Sequence, residues 1–252
     1  MFRKTADVYD LVYAWKDYAG EASRLCELIG RPGGTLLDVA CGTGKHLEHL
    51  AAHYRCEGLE IDPGMAQIAR ARGFTVHEGD LATFDLGRRF DAVTCLFSSI
   101  GYADGLDVAV ANLGRHVAPG GVLVVEPWLS PEIVVPGRVS MHTAETERVK
   151  VARMNSIDVE GRASVLKFHY LVGRKGAVEH LTERHVLWLW TRDEYEAAFA
   201  KAGLQAGYDE YGSWDGGSGW DSVKRDVLAD PLGTRSVQHH LAGRDVPQRQ
   251  PV

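Results

Sequence analysis

Cysteine is scarce. There are four in 252 residues, Cys26, Cys41, Cys56 and Cys95, and no two form a CxxC pair. Zinc-ribbon and dithiol redox signatures are therefore excluded, and free thiols in a reducing compartment are expected. Basic charge is in deficit, with 28 Lys and Arg against 34 Asp and Glu. The basic residues are scattered, so no nucleic-acid partner is expected. No run of 18 apolar residues is present, which excludes a membrane-spanning helix from expectation. The first residues, MFRKTADVYD, lack the apolar stretch of a signal peptide, so a cytoplasmic location is expected. No fixed-period repeat appears. Metal-ligand spacing is also missing: His49 and His53 stand at i, i+4 but read as a helix-surface pair, and no metal is expected.

What is present is an α/β grammar. Leu36 to Ala40 reads as a strand, Gly44 to Tyr54 as a helix and Cys56 to Ile61 as a second strand. Asp62 followed by Pro63 and Gly64 is a helix start, an acid at the N-cap before a proline at the first helical position. Phe74–Glu78, Phe90–Phe97 and Val122–Glu126 complete five strands. The fourth is apolar on both faces, as a buried parallel strand must be. Glu21–Leu28 and Leu106–Val117 read as helices. This alternation predicts a doubly wound, mostly parallel, Rossmann-like sheet. After Trp128 the pattern changes. Residues 139 to 190 alternate polar and apolar without helices, which predicts an antiparallel β insertion. Thr191 caps the helix TRDEYEAAFAKAG, and a last strand follows near Leu204–Tyr211. The expected organisation is a core at 1–127, an insertion at 128–190, a return to the core at 191–228 and a loose tail at 229–252.

The segment LLDVACGTGKH, Leu36 to His46, sits where ligands bind such sheets, at the carboxyl end of a strand. Its glycines let the backbone turn tightly and approach a ligand. A second acid, Glu60, ends the next strand, where a carboxylate can accept from a ribose diol. A dinucleotide is disfavoured, because the third glycine of that fingerprint is replaced by Leu47.

The words LLDVACGTG, GLEID, EGDL, FDAVTCLFSSIGY and VAPGGVLVVEPW together resemble the class I S-adenosylmethionine-dependent methyltransferases, over about Leu36 to Gly212. The resemblance implies S-adenosyl-L-methionine as cofactor. It implies that the backbone at Ala40, Cys41 and Gly42 meets the methionine part, with Gly44 in the same loop and Asp38 supporting it. Glu60 would take the ribose hydroxyls, Ile61 and Met65 would flank the adenine, and Asp80 would accept from its amino group with Leu81 beside it. Leu96 belongs to the same set. More narrowly, DVACGTG-x-H-L, TC-x-FSSIG, FHYLV and the TRDEYEAAFAKAGL helix resemble the nucleotide-linked amino-sugar N,N-dimethyltransferases of macrolide antibiotic pathways. That likeness runs over roughly Val8 to Gly212 and implies a TDP-amino sugar as acceptor.

On the acceptor side the candidates are Tyr102, Glu126 and His169 for catalysis and Tyr18, Ser98, Ser99 and Trp128 for binding. Arg138, Arg148, Arg153 and Lys167 are candidates for a diphosphate, although each also reads as part of a solvated face. Tyr13, Trp188 and Trp190 read as packing or lid residues. Two departures from the family concern the acceptor. Its SSIGH ends here in Tyr102, and Trp220 stands where its late arginine is expected, within GGSGWDSVKRDV. Eight residues precede Tyr9, so a short N-terminal lid is expected. An exposed antiparallel sheet can pair across a dimer axis, and a homodimer is the expected assembly. O- or N-methylation of another small natural product, and cofactor binding without catalysis, are the alternative functions.

Overall fold

The computed structural model describes residues 5–209 and 226–230. Helices α1 (Ala6–Val12) and α2 (Tyr18–Ile29) lead in. The first was not legible as a helix, and the second starts before the expected Glu21 because Asp17 caps it. The Asp17 side chain accepts from Gly20 N at 2.9 Å. Gly30, at φ 63°, ends the helix in the left-handed conformation that favours glycine. There follow β1 (Thr35–Val39), α3 (Lys45–Leu50), β2 (Arg55–Glu60), α4 (Pro63–Ala71), β3 (Thr75–Glu78), β4 (Phe90–Cys95), α5 (Leu106–Arg115) and β5 (Val117–Val125). Next come β6 (Val139–Glu145), β7 (Lys150–Glu160), β8 (Ala163–Arg174) and β9 (Ala177–Trp188). Helix α6 (Arg192–Lys201), β10 (Gln205–Asp209) and β11 (Asp226–Asp230) return to the first sheet.

The main sheet runs β10-β11-β5-β4-β1-β2-β3. Its pairs are parallel except those of β11, which lies antiparallel to both β5 and β10. Strand order reverses between β1 and β4, which places a crevice at their carboxyl ends. Alternation along the strands fills both faces. Leu37, Val39, Val93, Cys95, Leu123 and Val125 pack under α5 and α6. Leu36, Ala92 and Val124 pack on the other side with Leu25 and Ile29 of α2.

Capping signals read from the sequence hold. Asp62 Oδ1 accepts from Gly64 N at 2.9 Å and Met65 N at 3.2 Å, with Pro63 opening α4. Thr191 and Glu194 form a reciprocal capping box at α6. Strand β4 stops at Cys95, two residues short of the expected Phe97, because Phe97 and Ser98 have φ 50° and 63°. β5 begins at Val117 rather than Val122. Val117 pairs with Phe90, the register then jumps to Val122 opposite Ala92, and the intervening residues bulge out. The bulge requires Gly121, where a Cβ would stand 2.7 Å from Asp91 O.

The second sheet, β6-β7-β8-β9, is antiparallel throughout. Its inner face carries Val151, Ile157, Leu166, Phe168, Tyr170 and Leu187, which pack with Val8, Val12 and Tyr13 of the N-terminal segment. The DVLAD strand differs from expectation. A polar, unrecognisable segment ending in a tail from residue 229 was expected, yet β11 runs to Asp230 in register with β5, Val227 opposite Val125. Trp220 and the rest of the expected tail lie outside the described residues.

Candidate active site

The turn after β1 is built for close approach. Ala40, Gly42 and Gly44 have φ of 59°, 57° and 81°. A Cβ at Gly42 would meet nothing within 4 Å, so this edge of the loop is open. Glu60, at the end of β2, holds the turn from beneath. Its Oε2 accepts from Gly42 N at 2.8 Å and its Oε1 from Asp62 N at 2.9 Å. Each oxygen retains acceptor capacity beyond those bonds. Burial pushes the Glu60 pKa up, against the backbone N–H groups that stabilise its anion. Asp10 of α1 accepts from the Thr43 hydroxyl at 2.6 Å and pairs with Arg72, so the N-terminal helix is fastened to the glycine turn.

Above this turn lies a cavity of about 470 Å³, closed by the inner face of the second sheet. Gly42, Glu60, Ile61, Met65, Asp80 and Leu81 line its floor. Ile61 is 46% exposed, an apolar ledge beside a buried carboxylate. Asp80 lines the cavity, and its Oδ1 accepts from Ala82 N at 2.8 Å as a turn residue does. Tyr9, Tyr13 and Trp15 close one side.

The opposite wall comes from the β4 end and the second sheet. Ser98, Ser99, Tyr102, Trp128, Arg153 and His185 all line it. Ser98 donates to Pro127 O at 3.1 Å, and Trp128 Nε1 donates to Ser164 Oγ at 2.7 Å. The 3-10 turn Ser99–Tyr102 presses so closely on the insertion that a Cβ at Gly101 would stand 2.8 Å from that of Trp128. Tyr102 hydroxyl is 2.7 Å from His185 Nδ1. Arg153 lies with its guanidinium 5.1 Å from the Tyr13 ring centre and 5.5 Å from that of Phe168. Its Nε and Nη1 are buried without a hydrogen bond to any described residue. A cation in such a place suits an anionic ligand group.

Several expected site residues are not among those that line the cavity. His169 is corrected outright. It is exposed on the outer face of β8, with Nδ1 3.1 Å from His180 Nε2, because side chains alternate and its neighbours Phe168 and Tyr170 take the inner face. Glu126 is buried but does not line the cavity; its Oε2 accepts from Phe97 N at 2.6 Å and braces the left-handed turn. Tyr18 is tucked behind the glycine turn, edge-on to His46 at 4.9 Å. Leu96 is core, in the layer with Leu36 and Leu25. Cys41 turns its sulfur inward, toward a Gly58 that leaves room for it. Gly44 packs on Ala69 of α4. Asp38 accepts from Thr94 Oγ1 at 2.8 Å, tying β1 to β4, and burial raises its pKa to about 6. Cavity-lining residues not singled out include Trp15, in the link between α1 and α2, and Asn155, Phe168 and His185 of the insertion. The signal for the last three is the two-residue period of the insertion, once the register of its strands is known.

Comparisons with known proteins agree with this fold. A family model described as a methyltransferase domain matches residues 36–121. The chain is 46% identical over 211 residues to the dTDP-3-amino-3,6-dideoxy-alpha-D-glucopyranose N,N-dimethyltransferase of Streptomyces fradiae, covering 79% of this chain and 83% of the relative. Among solved structures, Streptomyces venezuelae DesVI superposes with a TM-score of 0.81 at 40% identity, over 90% of this chain and 98% of that one. A SAM-bound amino pentose methyltransferase of Micromonospora echinaspora, involved in calicheamicin biosynthesis, gives a TM-score of 0.76 at 37% identity, over 89% and 96%.

Proposed function

The chain belongs to the family of dTDP-amino-sugar N,N-dimethyltransferases, and from that premise we propose that it methylates the amine of a dTDP-linked amino sugar twice, with S-adenosyl-L-methionine as donor. The observation that carries the reading is the single cavity shared by the glycine turn and the inner face of the second sheet. Donor and acceptor must meet in one dry space for an in-line transfer, because rate comes from positioning and exclusion of water.

The residues present fit the cofactor. The open edge of Gly42 leaves room for a ligand against the backbone. Glu60 retains acceptor capacity for a ribose diol, and the ledge of Ile61 with Met65 and Leu81 offers apolar cover for an adenine. When bound, the cofactor supplies a methyl on a sulfonium whose thioether leaving group needs no acid. The protein's own part is then to hold the acceptor nitrogen with a free lone pair. Ser98, Ser99, Tyr102 and Trp128 line the cavity, and we assign the acceptor nitrogen to that wall. We assign the diphosphate to Arg153, which lines the cavity with its Nε and Nη1 buried.

The test is a mass-resolved assay with a panel of dTDP-amino sugars, free amino sugars and hydroxylated natural products. The expected product is a dTDP-3-amino-3,6-dideoxyhexose carrying two added methyl groups. One methyl on a hydroxyl, or no transfer while the cofactor still binds, would overturn the reading.

We also propose a homodimer formed through the outer face of the second sheet. Val139, Met141, Met154, Leu171 and Val178 stand 48–72% exposed there, interspersed with Lys167, His169 and Arg184, and burial against a copy of the chain would cover them. Light scattering that returns a monomer mass would sink this part.

A further inference from the structure

A chain of hydrogen bonds leaves the acceptor wall and ends on the N-terminal helix. The Tyr102 hydroxyl is 2.7 Å from His185 Nδ1, and His185 Nε2 is 3.4 Å from Glu183 Oε2. Both Glu183 oxygens accept from the Thr5 hydroxyl at 3.1 Å. His185 and Thr5 are buried, and Tyr102 and His185 line the cavity. One polarity satisfies the series. An ionised Glu183 only accepts, so His185 carries its hydrogen on Nε2 and accepts at Nδ1 from the phenol. Tyr102 has then already donated its proton inward, and what it offers the cavity is a lone pair.

Resting on the reading as an amine methyltransferase, we propose that Tyr102, His185 and Glu183 form the proton-accepting relay for the acceptor ammonium. Tyr102 is the catalytic residue that touches the acceptor, and His185 and Glu183 act through it. An N–H bond of the ammonium breaks and an O–H bond forms on Tyr102, while the original phenol proton passes to His185 Nδ1. The net change is one proton moved from substrate to imidazole, with the nitrogen lone pair set free. Glu183 holds the resulting imidazolium. Methyl transfer then forms an N–C bond and breaks a C–S bond, the electron pair leaving on sulfur. The methylated ammonium loses its next proton by the same route, once His185 has discharged to solvent.

The surroundings suit a relay. Burial, followed by Tyr13, Tyr170, Glu183 and Glu60, pushes the Tyr102 pKa well above its usual value, so the phenol conducts a proton and does not rest as phenolate. Among the described residues, the charged groups that line the cavity or the relay include Glu183, Glu60 and Arg153. Arg153 lies over the Phe168 ring, whose ring centre is 5.1 Å from that of His185. Tyr9, Tyr13 and Tyr170 are further titratable groups nearby, and burial raises the pKa of Tyr9 and Tyr170.

The experiment is single-turnover transfer to the dTDP-3-amino sugar as a function of pH, for the wild type, Tyr102→Phe and His185→Gln. Near neutral pH both variants are expected to lose about 100-fold in rate, the usual size of a general-base contribution. Their rates should climb with pH as free amine appears from solvent, and approach the wild type in alkali, with cofactor affinity unchanged. A uniform loss with the wild-type pH profile, or no loss, overturns the relay. In case either variant misfolds, 15N NMR of the His185 ring in the wild type gives a second measurement. With S-adenosylhomocysteine and acceptor bound, an imidazolium signal is expected, and a ring that stays neutral overturns the proposal. Wild-type protein that methylates no amine brings down both readings, whereas wild-type turnover with unshifted variants brings down the relay alone.

Discussion

The two sheets meet at one cavity but are specified in different ways. On the parallel side the site is made of turns: Ala40 to Gly44 after β1, Glu60 to Asp62 after β2 and Asp80 after β3. Each is a local word whose geometry follows from a glycine, a cap or an acid at a strand end. On the antiparallel side the site is made of strand interiors, and position there depends on register. A residue of β8 contributes only if its neighbour does not. The comparison teaches that cofactor chemistry can be written in short motifs, while acceptor chemistry is written in the pairing of strands far apart in sequence.

Lesions should separate the halves. Glu60→Ala removes the acceptor of the Gly42 and Asp62 N–H groups and the proposed ligand for the ribose, so cofactor affinity should fall by about 4 kcal/mol, roughly a thousandfold. Calorimetric titration checks it, and affinity within a few-fold of the wild type would erase the division of labour. Asp38 makes the parallel half sensitive to pH. Its folded pKa of about 6 lies above its ordinary 3.8, so the native state binds the extra proton. The resulting stabilisation is complete below about pH 4 and disappears as pH rises through about 6, a change of about 3 kcal/mol. Melting curves should show that slope in the wild type and a flatter one in Asp38→Asn.

Smaller effects are expected across the cavity. Arg153→Met should raise KM for the nucleotide sugar about tenfold, near 1.4 kcal/mol, with cofactor affinity and turnover of bound substrate kept. A lost cofactor affinity would instead place Arg153 on the wrong side of the comparison. His169→Ala, on the outer face, should change stability by less than about 0.5 kcal/mol and leave both kinetic constants alone. A large fall in turnover there would restore the role the strand register denies it.

How much was legible follows the same division. The five parallel strands, the α4 and α6 caps, the glycine turn and Glu60 all rest on signals within a few residues. So did the existence of the β insertion. What was not legible needed long-range pairing. His169 was chosen and His185 passed over because a histidine in an alternating stretch does not announce its face. Met154 stands opposite His169, while His185 pairs with Leu166, whose side chain is buried in the cavity wall. Helix α1 was too short to signal itself, and it is held by Thr5, Asp10 and Asp7 to partners distant in the chain. DVLAD reads as a polar fragment until β5 and β10 are seen on either side of it.

The hairpins of the second sheet bear on how such a pocket can change over evolutionary time. β7 and β8 are joined by Gly161 and Arg162 alone, and β8 and β9 by Lys175 and Gly176, with Gly161 at φ 60° and Gly176 at φ 81°. Adding or deleting one residue inside β8 would turn Phe168 and Tyr170 outward and His169 inward, inverting the wall at a stroke. Descendants of this chain can therefore explore new acceptors by replacing inward residues one at a time. Changes of length in these strands are confined to the turns, and the lineage should diversify in pocket chemistry while conserving strand length.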